Sequence, residues 1–136
     1  MRFIQIWILP DTAGLPPEVE QRVFTKADRT DRLLKVVGPV GEASEFVKVH
    51  QDASVYVASL DGGGEVVHPI GSGRGTYLYL IDGAASFDDK PVVTGAAARV
   101  TAQPEIRIRP PEPSELILVD VPMQFEAVGI WRGRLG

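Results

Sequence analysis

The sequence predicts an all-β, antiparallel barrel or sandwich, and three observations carry that expectation. Tyr77-Leu78-Tyr79-Leu80-Ile81-Asp82-Gly83 is a short apolar and aromatic run closed by Asp-Gly, the pattern of a buried strand entering a tight hairpin. Glu105-Ile106-Arg107-Ile108-Arg109 alternates charged and apolar residues with the period of a strand that has one wet face. Brief runs of this kind recur between turns marked by glycine and proline, of which the chain has 14 and 11.

Each element follows from the same reasoning. Phe3 to Leu9 has β-branched and aromatic residues without helical spacing and reads as a strand apolar on both faces, closed by Pro10. Asp11 to Pro17 is a loop, Val19 to Phe24 a short extended segment, and Thr25 to Arg32 a charged, solvated turn. Leu33 to Val37 is a strand stopped by Gly38-Pro39, and 41–46 is read as a loop. Val47 to His50 and Ser54 to Leu60 alternate, which places Tyr56, Ala58 and Leu60 on one side and Val55 and Val57 on the other. Asp61 to Gly64 is a turn, Glu65 to Ile70 a strand, and 71–75 a glycine-rich lead into the central hairpin. A polar turn through Asp88-Asp89-Lys90-Pro91 joins the next two strands. Ala96 to Val100 and Leu116 to Val121 complete the set, the last read as wholly apolar, and Met123 to Gly136 is a tail without periodicity.

Composition bounds the function. A chain of 136 residues is expected to form one domain (1–136), with a strand and arm over 1–24 and the tail over 123–136, burying roughly 68% of its unfolded surface. With no cysteine there is neither a disulfide framework nor a thiolate site, and a reducing cytoplasm is the expected setting. The balance of 14 basic against 18 acidic residues, without a basic block, speaks against direct nucleic-acid binding. The apolar run at 3–9 falls short of the roughly 20 residues of a membrane helix. With only Arg2 before it and no small-residue cleavage site, it is a poor signal peptide.

Residues that could carry chemistry are sparse. The chain has two histidines, His50 and His68, and a metal reading would recruit them with Glu65, Asp52 or Glu20, a donor set suited to iron, manganese or nickel. No His-x-His pair supports it, and the expectation is an imidazole bonded to a neighbouring strand or facing solvent. Gly71-Ser72-Gly73-Arg74-Gly75 looks like an anion cradle but lacks the following helix and the Lys-Ser/Thr of a P-loop, so it is read as a loop. No serine stands in a Gly-x-Ser-x-Gly elbow. Asp88-Asp89 is read as a solvated pair in its turn.

Phe3-Ile4-Gln5-Ile6-Trp7-Ile8-Leu9-Pro10, Pro17 to Phe24, Lys48-Val49-His50-Gln51-Asp52 before Val55-Tyr56, and Leu118-Val119-Asp120-Val121-Pro122 together resemble the second half of pirin-like proteins. Those are bicupins, some of which oxidise quercetin. The resemblance covers nearly the whole chain up to Pro122. It implies a cupin: an antiparallel double-stranded β-helix of jelly-roll type. It also implies that the family's metal-binding histidines and glutamate belong to the first half, so no catalytic or metal position carries over. The strands here show no His-x-His followed by Glu, and 95–109 contains no histidine.

The resulting expectation is a metal-free degenerate cupin, without a cofactor and leaning away from an enzyme, that serves as a binding or association module. A small apolar or aromatic ligand inside the barrel would be lined by Tyr56, Tyr77, Tyr79, Phe87 and His68, unless these pack as core. The runner-up is a quercetin 2,3-dioxygenase-like enzyme, alone or with a separate metal-binding first-half cupin protein, using iron, copper or nickel at His50, His68 and Glu65. A regulatory protein-interaction module of pirin type is the third reading. An uncovered apolar strand is an aggregation hazard. A homodimer is therefore expected, with Phe3, Ile6, Trp7, Ile8 and Leu9 at its interface, joined by Phe125, Ile130 and Trp131.

Overall fold

Alternation along the strands sorts the side chains onto two sheets that face one another. The computed structural model describes residues 3–124. A 3-10 turn at Ala27–Arg29 precedes β1 (Leu34–Pro39), β2 (Val47–Val49), β3 (Ser54–Leu60), β4 (Val66–Pro69) and β5 (Arg74–Asp82). Then come β6 (Ala84–Phe87), β7 (Lys90–Val93), β8 (Ala97–Thr101), β9 (Glu105–Arg109) and β10 (Ser114–Pro122). One sheet has six strands in the order β2-β1-β3-β10-β5-β8, the other four in the order β4-β9-β6-β7. All named pairings are antiparallel except β1 with β2.

The inner rows of the large sheet are Tyr56–Leu118–Leu78 and Ala58–Leu116–Leu80, read across β3, β10 and β5. They meet Ile106 and Ile108 of β9 and Phe87 of β6 in a single apolar cluster. These leucines and isoleucines are fully buried, so the interior is filled by side chains. A ligand chamber inside the barrel, expected from the sequence, is taken up by this packing. Phe87 is part of the filling.

Two local expectations are corrected. Asp82-Gly83 does not close a hairpin: β5 lies in the large sheet and β6 in the small one, so Gly83 is the corner at which the chain changes sheets. The residue has φ +105°, and a Cβ there would overlap the Pro113 carbonyl oxygen. The true two-residue hairpin is Asp88-Asp89, both with positive φ, between Phe87 and Lys90.

Phe3 to Leu9 forms no strand. A chain apolar on both sides gains by lying across a sheet face, and its end is tied down where Gln51 Nε2 donates to the Leu9 carbonyl (2.8 Å) and Asp11 N to that of His50 (2.7 Å). The segment therefore lies beside Val119 and Val121 on the outward face of the large sheet. Val19 to Phe24 likewise forms no strand. The proposed tail contacts at Phe125, Ile130 and Trp131 lie outside the described residues.

Candidate functional site

At one end of the barrel the apolar filling gives way to charge. Asp120, late in β10, stands beside Ser54 of β3 and Thr76 of β5, on the inward side of the large sheet. Across from it β4 presents His68, whose Nε2 lies 2.7 Å from Asp120 Oδ2. Arg74, the first residue of β5, donates through Nε to Asp120 Oδ1 (2.5 Å) and through Nη1 to Asp52 Oδ2 (2.6 Å). The His68 and Asp120 side chains are both over nine-tenths buried.

Burial pushes the Asp120 carboxyl up, but the hydrogen bonds from His68 and Arg74 outweigh it and hold the group below the usual aspartate range. Burial pulls Arg74 down, and its bonds to Asp52 and Asp120 more than reverse that. Asp120 is therefore an anion at neutral pH. Because an anionic carboxylate can only accept, the bond is donated from His68 Nε2 to Asp120 Oδ2. Tyr56 holds the imidazole edge-on, with centroids 4.8 Å apart and planes at 62°.

Above this triad is an open cavity of about 450 Å³, floored by Ser54, His68 and Asp120. Leu33, Tyr56, Val67 and Pro69 give it an apolar wall. Its size falls within the range usual for small-molecule sites, and its mixture of apolar walls with a few fixed polar groups is of the same kind.

The sequence candidates separate. Tyr56 and His68 line the cavity, whereas Tyr77 and Tyr79 alternate with the core leucines and face outward. The metal candidates do not converge. His50 lies 3.9 Å from Glu18, His68 is engaged by Asp120, and Glu65 is bound by Arg107 and Arg109. The bond from Arg109 is the main reason that the Glu65 carboxyl lies below its ordinary range. Among the described residues no three His, Asp or Glu side chains are grouped as metal ligands. Nor does the triad fit a transition metal: the Arg74 guanidinium sits where a cation on Asp120 would bind.

Sequence reasoning missed Asp120 and Arg74. The first was hidden in a run read as wholly apolar, although one acid inside such a strand demands a buried partner. The second was read as a loop residue.

A second feature lies on the opposite face of the large sheet. The arm residues Ile6, Trp7, Ile8 and Leu9 meet Val119 and Val121 around a cleft of about 270 Å³. Phe3 and Trp7 are 83% and 77% exposed.

Comparison with known proteins agrees with this architecture. The family described as the quercetinase C-terminal cupin domain matches residues 36–121. The chain belongs to this cupin family. A Zymomonas mobilis protein with a provisional quercetin 2,3-dioxygenase name is 30% identical over 118 residues, which is 87% of this chain and 50% of that one. The Escherichia coli K12 quercetin 2,3-dioxygenase is 27% identical, covering 90% of this cupin chain and 51% of its own length. The crystal structure of YhhW from Escherichia coli superposes with a TM-score of 0.79 at 26% identity, over 88% of this chain and 50% of that one. The cupin chain thus spans about half the length of the curated relatives it matches. Among the described residues, no helix is long and apolar enough to cross a membrane.

Proposed function

We propose that this cupin is a non-enzymatic association module of the pirin-like class, which pairs through its N-terminal arm and the outward face of its large sheet with a second copy of itself. One observation carries the reading: the barrel interior is filled, while the arm keeps Phe3, Ile4, Ile6 and Trp7 exposed and its Ile6 to Leu9 stretch shares a cleft with Val119 and Val121 of the sheet. The relatives have about twice this length, and a two-fold arrangement of two copies buries the same patch on both partners.

Sedimentation equilibrium tests it. A dimer is expected for the wild type, and a soluble, folded monomer for Trp7→Glu. A wild type still monomeric at about 100 µM, far above a micromolar dissociation constant, overturns the reading.

The runner-up is a quercetin 2,3-dioxygenase-like activity, either alone or with a separate first-half cupin. It is favoured by the names of the relatives and by the structure of bacterial pirin YhhW in complex with nickel(II), 27% identical with a TM-score of 0.76. Metal-dependent oxygen uptake with quercetin separates it from the association module.

A further inference from the structure

We infer that the turn after β3 is a chemical modification site, at which the Asp61-Gly62 link isomerises to isoaspartate in the folded protein while the other Asp-Gly pair of the chain, Asp82-Gly83, is protected. The reaction joins the Gly62 nitrogen to Asp61 Cγ as the N–H proton is lost, expels a carboxyl oxygen as water and leaves a cyclic succinimide. Water then breaks the bond from the ring nitrogen to the Asp61 main-chain carbonyl carbon, so that the backbone runs on through Cβ and Cγ; breaking the bond to Cγ instead restores aspartate. No oxidant or reductant is consumed, and the product has the mass of the starting chain. Only Asp61 and Asp82 are followed by glycine, and every other aspartate has a side chain next to it that crowds the attacking nitrogen. The chain has no asparagine, whose amide would feed the same intermediate.

Ring closure needs a free glycine N–H, a free carboxyl group and a backbone that can bring the two together. Gly62 has φ +104°, and its N–H has no hydrogen-bond partner among the described residues. Asp61 is exposed, and its carboxylate makes no hydrogen bond or ion pair among them. Gly63 and Gly64 follow, and a Cβ at either would meet nothing within 4 Å, so the turn has room to rearrange. The corner between the sheets is the opposite case. There the Gly83 N–H donates to Thr94 Oγ1 (2.9 Å), the same hydroxyl lies 3.4 Å from Asp82 Oδ1, and Gly83 is packed against the Pro113 carbonyl. Asp82 can react only from conformations in which these contacts have opened. Isomerisation at Asp61 adds a methylene to the backbone before Gly63 and draws its N–H away from the Pro110 carbonyl, which it reaches at 2.7 Å. The turn lies at the end of β3 away from the triad, since Leu60 pairs with Ser114 and Ser54 with Asp120, and the inference is independent of the pairing proposed above.

The test is prolonged incubation of the full-length protein at neutral pH and body temperature. Isoaspartate is measured with an isoaspartyl methyltransferase and placed in the sequence by electron-transfer fragmentation of the peptides. Asp61 is expected to accumulate it about tenfold faster than Asp82, the factor that one net hydrogen bond of the corner is worth. In urea sufficient to unfold the chain the two rates should converge, because the protection of Asp82 belongs to the fold. Thr94→Val, at an exposed position, frees the Gly83 N–H and should raise isoaspartate at Asp82 by about threefold. Asp61→Ser should abolish the signal at that position and leave Asp82 as it was. The comparison within the wild type needs no variant to fold. Equal rates at the two sites in the folded protein, or isoaspartate at Asp61 formed only in urea, overturns the inference. So does an Asp82 rate unchanged by Thr94→Val, which would mean that the Gly83 bond is not what protects the corner.

Discussion

Thr76 stands directly opposite Asp120 across β5 and β10, and its buried hydroxyl has no hydrogen-bond partner among the described residues while the neighbouring carboxylate takes bonds from both His68 and Arg74. An orphaned hydroxyl in such a place loses hydration without compensation. Replacing it by the isosteric valine should therefore stabilise the protein, by about 1 kcal/mol. Urea denaturation of Thr76→Val measures this. A loss of stability would mean that the hydroxyl is satisfied by an ordered water that the valine expels.

Asp120 makes stability depend on acid. Its carboxyl is held below its ordinary value in the folded state, so the unfolded chain takes up the proton more readily. The stabilisation is present above the ordinary aspartate value of about 3.9 and is lost as pH falls through the lower folded value. Wild-type stability should thus drop steeply below about pH 4, and Asp120→Asn should be less stable at pH 7 with a flatter acid limb. The loss at neutral pH should be about 3 kcal/mol, because Arg74 and the buried His68 both lose the carboxylate that they share. Denaturant midpoints measured from pH 3 to pH 7 check both features.

How much of this was legible in the sequence depends on whether the signal was local. β3 and β9 begin and end where the runs Ser54 to Leu60 and Glu105 to Arg109 place them; in β9 the burial of Ile106 and Ile108 between exposed arginines is a property of the strand itself, whereas β3 is buried on both faces. Gly83 was recognised as a turn residue, but a hairpin and a corner between sheets both require positive φ there. The distinction lies in β6 pairing with β7 and β9, which is not local. Phe3 to Leu9 carries the same apolar content whether it pairs at an edge or lies across a face. The candidate site was the least legible part, since its residues come from β4, β5, β10 and the loop before β3. Tyr56 and His68 were legible as lining candidates, but nothing local joined them to Arg74 and Asp120, for which the one signal was a charge within an apolar run.

Gly83 and Gly95 provide a matched pair for testing the corner. Both have positive φ, but a Cβ at Gly83 would meet the Pro113 carbonyl and Ser114, whereas at Gly95 it would meet nothing within 4 Å. Gly95→Ala should cost about 1 kcal/mol, the price of a left-handed alanine alone. Gly83→Ala should cost about 3 kcal/mol, because backbone atoms that join the two sheets must also shift. Equal losses in thermal or urea unfolding would show that the corner has room to adjust.

The last prediction concerns metal. A divalent ion at the triad would have to take Asp120 from Arg74 and strip the proton that His68 directs at the same carboxylate, leaving a guanidinium buried beside a dication. Coulomb repulsion at that distance costs several kcal/mol even in a well-screened interior, more than two ligands would return. The other candidates, His50 and Glu65, are engaged with Glu18 and with Arg107 and Arg109, and would bring no third ligand. Purified protein should therefore hold well below about one equivalent of iron, copper, nickel or manganese, and quercetin should drive no metal-dependent oxygen uptake above a heat-killed control. Elemental analysis and an oxygen electrode measure the two quantities. A full equivalent of metal that disappears in His50→Gln or His68→Gln, together with oxygen uptake, would replace the association module with a dioxygenase-like enzyme. Uptake that appears only when a separate first-half cupin is added would assign the metal to that partner, and this chain to the support of its site.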